Sequence, residues 1–236
     1  MVLAIEIHQL VKKYGRVAAI KEISLGVRQG EVFGFIGPNG AGKSTTIRIL
    51  LDEVRANSGS AKVFGLDSRQ DAVEIHRRTG YLPAELALPP KMTGRQVLSF
   101  FARLRGGVDW KYVDELEARF DAELDRRVES LSTGNRQKVG IISAFMHQPE
   151  LLILDEPITG LDPLVQRQFH QLVRETVDQG RTVFLSSHTL SEVQRVADRV
   201  GIIRRGEVVA IEDISERNDN LEDVFLQFHE AEQQGE

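Results

Sequence analysis

Hydrophobic and polar positions fall into three textures along the chain. Over residues 4–36 the pattern is strand-like. Residues 4–10, 23–28 and 31–36 alternate or run apolar, broken at Gly15 and at the turn of Gln29 and Gly30. Over residues 84–147 the period lengthens to that of a helix. Thr93 with Gln96 forms a capping box opening a helix over 94–104, and Val113, Leu116, Phe120 and Leu124 share one face of a helix over 113–127. From Glu150 onward strands and helices alternate: strand 151–154, helix 164–179, strand 182–186, helix 190–197, then a hairpin pairing 202–204 with 207–210. Near-continuous apolar strands alternating with helices predict a parallel sheet buried on both faces. The helical stretch interrupts that alternation and reads as an inserted subdomain. Residues 215–220 form a polar linker and 221–228 a short amphipathic helix. The expected division is therefore a main domain over 1–214, with an insert at about 84–147, and a tail over 215–236.

Composition narrows the classes. The 236 residues are 41% hydrophobic and 28% charged, the usage of an ordinary globular protein. With no cysteine, disulfide scaffolds, thiolate metal sites and thiol nucleophiles are excluded, and a reducing intracellular location is favoured. Thirty basic residues against 35 acidic ones leave a net charge of −5, so no uniform basic face for nucleic acid is expected. No window approaches the ~18 consecutive apolar residues of a spanning helix, and Glu6 and His8 interrupt the apolar start of the chain. The expectation is a protein that does not span a membrane but can dock on one.

Candidate chemistry begins where the third strand ends. Gly37, Pro38, Asn39, Gly40, Ala41, Gly42, Lys43 and Ser44 spell G-x-x-x-x-G-K-S between an apolar strand and a helical pattern. Glycines let the backbone wind so that successive N–H groups converge on phosphate oxygens, and the following helix adds its positive end. Lys43 is placed to neutralise the β- and γ-phosphates and Ser44 to ligate Mg²⁺. Further along, the apolar run 151–154 delivers Asp155 and Glu156 at a strand's C-terminal end, where ligands of open α/β sheets bind. Asp155 suits Mg²⁺ and Glu156 the polarisation of an attacking water. A nucleoside triphosphate site is expected.

Taken with Pro157, Gly160, Leu161, Asp162, Pro163, Ser187 and His188, these motifs resemble the ATP-binding-cassette family, the nucleotide-binding subunits of ABC transporters. The resemblance runs along nearly the whole chain in the family's order. It implies an α/β fold: a P-loop NTPase-like parallel sheet core with an antiparallel β subdomain and an inserted helical subdomain. It also implies ATP and Mg²⁺ as ligands, with the phosphate cradle extending to Thr45. Tyr14 matches the aromatic that stacks on adenine. Leu131, Ser132, Thr133, Gly134, Asn135, Arg136 and Gln137 match the signature segment, Asp162 the loop joining two sites, and His188 the residue facing the γ-phosphate. Taken singly, Tyr14 reads equally as a surface aromatic, His188 as a helix cap and Ser132 as an N-cap. In the family the signature segment closes on ATP held by another protomer, so a homodimer, or a paired ATPase subunit, with nucleotide at the interface is implied. So is a membrane permease as partner, at the cytoplasmic face of the membrane. No nucleic acid partner is expected.

Two departures stand out. The usual L-S-G-G-Q has Thr133 and Asn135 in place of a glycine and the glutamine. After Tyr81, Leu82 and Pro83, where the family usually places a glutamine, stands Ala84, which cannot ligate anything, followed by Glu85. The loop around these residues, the run Gly134–Lys138 and the ending 221–226 resemble prokaryotic exporters of the ABC-2 type. An importer ATPase, or a soluble member of the family acting on DNA or ribosomes, are the alternatives. The single P-loop and the small helical insert count against the soluble one.

Overall fold

The computed structural model describes residues 2–214. The linker and amphipathic helix read over 215–228 lie outside the described residues. Strands β1 (Leu3–Tyr14), β2 (Val17–Arg28) and β3 (Val32–Ile36) open the chain. Helix α1 (Lys43–Leu50) leads through β4 (Ser58–Val63) and β5 (Leu66–Asp67) to α2 (Ala72–Arg78) and β6 (Thr79–Leu82). Three helices follow: α3 (Gly94–Leu104), α4 (Trp110–Phe120) and α5 (Thr133–Phe145). Alternation then resumes with β7 (Leu151–Asp155), α6 (Pro163–Asp178), β8 (Thr182–Ser187), α7 (Leu190–Gln194), β9 (Arg199–Arg204) and β10 (Glu207–Asp213).

Two sheets result. One is antiparallel, in the order β2-β1-β4-β5. The other runs β10-β9-β3-β8-β7-β6, with β9 through β6 parallel and β10 added antiparallel at the edge. Its central strands are buried on both faces, as their unbroken apolar runs require. Phe33, Phe35, Leu151, Ile153 and Phe184 face the antiparallel sheet and α1. Val32, Ile36, Leu152, Leu154, Val183 and Leu185 face a second cluster that takes in α3 to α7. Phe33 and Phe184 stack at 5.9 Å between the sheets, and each such fully buried side chain contributes about 1.5–3 kcal/mol. The capping box is present: Thr93 Oγ1 accepts from Gln96 N at 3.2 Å, and Gln96 Oε1 accepts from Thr93 N at 2.9 Å.

The structure departs from the sequence pattern in several places, four of them with a clear consequence for the elements. Strand β1 runs on past Leu10, and β2 begins at Val17 rather than at residue 23. Bulges at Gln9 (φ 46°) and Glu22 (φ 64°) break the alternation by which a strand is recognised. Helix α4 ends at Phe120 instead of Arg127, because Asp121 turns left-handed (φ 48°). Leu124 nevertheless stays buried in the following turn, where its carbonyl accepts from Arg95 N at 2.8 Å. Helix α7 stops at Gln194, and a tight turn follows in which Val196 N and Ala197 N both bond the carbonyl of Val193. Residues 51–83, left without elements by the pattern, hold β4, β5, α2 and β6.

Candidate functional site

The ends of β3, β7 and β8 converge, since β8 lies between the other two in the sheet. The glycine-rich loop leaves β3 with Gly37 N bonded to the carbonyl of Ser187 at the tip of β8, at 3.2 Å. Gly37 has no room for a side chain: a β-carbon there would lie 2.2 Å from the Ile203 carbonyl on β9. Gly42, with φ 115°, ends the loop in a conformation that disfavours any side chain, and α1 starts immediately after it. No side chain caps α1. Its first N–H groups therefore stay available to an anion. A cavity of about 220 Å³ opens over this helix end, lined by Ala19, Pro38, Asn39, Gly40, Gly42, Lys43, Ser44, Thr45, Ala84 and Glu156. Ala41 lies buried beneath the loop and its carbonyl accepts from Gly206 N at 2.9 Å, so the β9–β10 turn props the loop from behind.

Lys43 is only 6% exposed. Its Nζ donates to the carbonyls of Gly37 (2.6 Å) and Pro38 (3.3 Å) and lies 3.4 Å from Glu156 Oε1. Glu156 adopts a left-handed backbone (φ 51°), and its Oε2 sits 2.8 Å from Nδ1 of the half-exposed His188. Glu156 Oε1 is buried and accepts no hydrogen bond. Asp155 is 2% exposed, and its Oδ1 accepts from the Ser186 hydroxyl. A glycine-shaped cradle, uncapped helix amides, a buried ammonium and a buried carboxylate oxygen that accepts no hydrogen bond together fit a polyphosphate with its counter-cation.

The other expected residues stand apart from this cavity. Ser132 is exposed and N-caps α5, accepting from Asn135 N at 3.2 Å. Asn135 Oδ1 is 3.4 Å from Glu123 N. Gly134 lies against the loop after Glu156, where a β-carbon would sit 3.1 Å from the Gly160 carbonyl. Asp162 N-caps α6 through Leu164 N and Val165 N, both at 3.0 Å. Tyr14 closes β1 as a 46% exposed ring, with Lys12 Nζ 4.8 Å from its centre. Ala84 lines the cavity, while Glu85 beside it is exposed and not among its lining residues.

Two further residues contact the site's residues: Gln137, named in the sequence only as part of the signature segment, and Ser186, which sequence reasoning passed over. Gln137 Nε2 donates to the Pro157 carbonyl at 2.7 Å, tying the signature helix to the loop after Glu156. Ser186 joins Asp155 to Glu156, whose N–H points at both Ser186 O (3.2 Å) and Ser186 Oγ (3.3 Å). The available signal was polarity inside a buried apolar strand, which a parallel sheet does not need.

Among the described residues no helix is long and apolar enough to cross a membrane. The sequence model described as ABC transporter matches residues 20–159. The chain is 36% identical over 215 residues to the bacitracin transport ATP-binding protein BcrA of Enterococcus faecalis, covering 90% of this chain and 70% of that protein. It is also 36% identical over 242 residues to the daunorubicin/doxorubicin resistance ATP-binding protein DrrA of Streptomyces peucetius, covering 99% and 73%. A solved ATP-binding subunit of an ABC transporter superposes with a TM-score of 0.82 at 29% identity, over 96% of this chain and 93% of that one. The matches cover nearly the whole chain, and this chain belongs to the ABC transporter family as one of its ATP-binding, ATP-hydrolysing cassettes.

Proposed function

We propose that this cassette powers export by a separate membrane permease, working at the cytoplasmic face of the membrane as a head-to-tail dimer that sandwiches two ATP molecules. The observation that carries the hydrolytic part is the meeting of Lys43 and Glu156 at one cavity, with His188 bonded to Glu156 and the buried Asp155 preceding it in the chain. Lys43 and the amides of the loop and of α1 bind the β- and γ-phosphates. Ser44 and Asp155 would hold Mg²⁺, which neutralises charge on the phosphates. A γ-phosphate competing for Lys43 Nζ releases Glu156 Oε1, which then takes a proton from the attacking water. A base so placed is worth ~10²–10⁴-fold. His188 is held through Nδ1 by Glu156, and its Nε2 donates to the phosphate when the ring carries both protons. Residues 1–214 act as the ATPase unit, with α3 to α5 as its inserted helical part.

The dimer reading is supported by the distance between functions within one chain. Ser132 and Gly134 lie outside the lining of the P-loop cavity yet present a helix N-terminus, which suits an anion brought by a second copy. Tyr14 is the surface on which the base stacks, and Asn135 and Asp162 complete the contact between copies. Export and a drug-like cargo follow the relatives named for bacitracin transport and for daunorubicin/doxorubicin resistance.

The test is assembly under arrested turnover. Glu156→Gln keeps the side chain's size but removes its basicity. It should cut hydrolysis by ~10²-fold or more, leave ATP binding intact and trap a dimer in MgATP, read by size exclusion with light scattering. Ser132→Arg on that background should return a monomer with ATP still bound. A firm dimer indifferent to Ser132→Arg refutes the sandwich. Co-purification from detergent-solubilised membranes with an integral membrane protein tests the permease.

A further inference from the structure

We infer that Ser186 is a positioning residue for hydrolysis, its one hydroxyl holding both acidic residues of the site in register. The inference rests on the roles proposed above for Asp155 and Glu156.

Ser186 lies at the end of β8, directly opposite Asp155 in the parallel pairing with β7. The strand before it, Val183, Phe184 and Leu185, is apolar and buried, and Ser186 itself is 0% exposed. A hydroxyl buried there without a partner is unfavourable. This one is used twice. Its proton goes to Asp155 Oδ1, and its oxygen is 3.3 Å from Glu156 N. The same N–H lies 3.2 Å from the Ser186 carbonyl, so the amide of Glu156 is shared between two acceptors of one residue.

Each bond has a separate consequence. With one lone pair of Oδ1 committed to Ser186, the Asp155 carboxylate is fixed in rotation, leaving Oδ2 to the cation side. The shared amide holds Glu156 in its left-handed conformation, which a residue with a side chain adopts only under constraint. From that backbone its carboxylate reaches both Lys43 and His188. The neighbouring hydroxyl cannot stand in, because Ser187 Oγ is committed to Glu192 Oε2 (2.7 Å) and to Thr189 N (2.9 Å). Ser186 thus acts through the two acids and needs no contact with nucleotide.

The test uses the full chain with Ser186→Ala, which deletes the hydroxyl, and Ser186→Thr, which keeps it. Losing a bond to a charged group predicts a kcat about 10- to 100-fold lower, with KM for MgATP rising by no more than about tenfold. Ser186→Thr should recover to within about threefold. A second readout is free of turnover. On the Glu156→Gln background, calorimetry should show ATP affinity in EDTA unchanged by Ser186→Ala, while the gain on adding Mg²⁺ shrinks about tenfold. If Ser186→Ala does not fold, Ser186→Cys, a weaker donor, replaces it and should show the same losses in reduced degree. A kcat within about twofold of wild type, or an equal loss from Ala and Thr, overturns the proposal. If Asp155→Asn leaves the Mg²⁺ gain intact, the metal role of Asp155 falls instead. The kcat pair of Ala and Thr then still decides whether the hydroxyl acts through Glu156.

Discussion

Lys43 Nζ and Glu156 Oε1 stand 3.4 Å apart, with side chains only 6% and 16% exposed. Lys43 opens α1 and Glu156 follows the end of β7, and the two form an ion pair that the carbonyls of Gly37 and Pro38 extend. A buried pair adds little over an apolar pair, but removing one partner strands the other charge. The nucleotide binding proposed for Lys43 and the stability of the fold would therefore meet at one ammonium.

Lys43→Met should abolish tight MgATP binding in calorimetry and lower the thermal midpoint by leaving Glu156 buried and uncompensated. Adding Glu156→Gln should return part of the lost stability without restoring binding. If the double variant melts no higher than Lys43→Met, the pair carries no coupling.

Gly37→Ala should be damaging for a reason unrelated to phosphate. The new β-carbon would meet the Ile203 carbonyl at 2.2 Å, and backbone cannot yield as a side-chain tip can. Overpacking of this kind costs about 1–3 kcal/mol or more. Thermal melts without nucleotide should show the loss, and wild-type stability would show that β9 can move away.

Stability should fall as pH drops from about 6.5 to about 4 through His147, whose pKa burial and the nearby Arg105 push down to about 4. Between those values the unfolded chain binds a proton that the folded one refuses, so ΔG of unfolding rises with pH across the window and is unaffected above it. His147→Gln should flatten the slope of the thermal midpoint over pH 4–6.5. An unchanged slope would assign the acid loss to other groups.

Phe145→Ala probes whether the inserted helices share the main core. Phe145 on α5 meets Phe169 on α6 edge-on at 6.3 Å, and both are at most 1% exposed. A loss of about 3–5 kcal/mol is expected. Urea unfolding followed by circular dichroism should stay a single transition, since one apolar cluster spans both parts. Two separated transitions would mean the insert unfolds by itself.

Most of the chemistry was legible because its signals are local. The run from Gly37 to Ser44 lies between a strand and a helix, Asp155 and Glu156 end an apolar strand, and Thr93 with Gln96 caps a helix: each depends on residues within a few positions of one another. Apolar runs reveal strands buried on two faces for the same reason. The bulges at Gln9 and Glu22 hid the length of β1 and β2, because one extra residue inverts the alternation that marks a strand. The amino-acid sequence by itself thus determined the phosphate loop, the paired acids and an α/β core. Only the tertiary structure decided that β8 wedges between β3 and β7. Strand order in a parallel sheet is set by packing between segments far apart in the chain, and no local pattern records it. That one placement brings Ser186 to Asp155, His188 to Glu156 and the Ser187 carbonyl to Gly37.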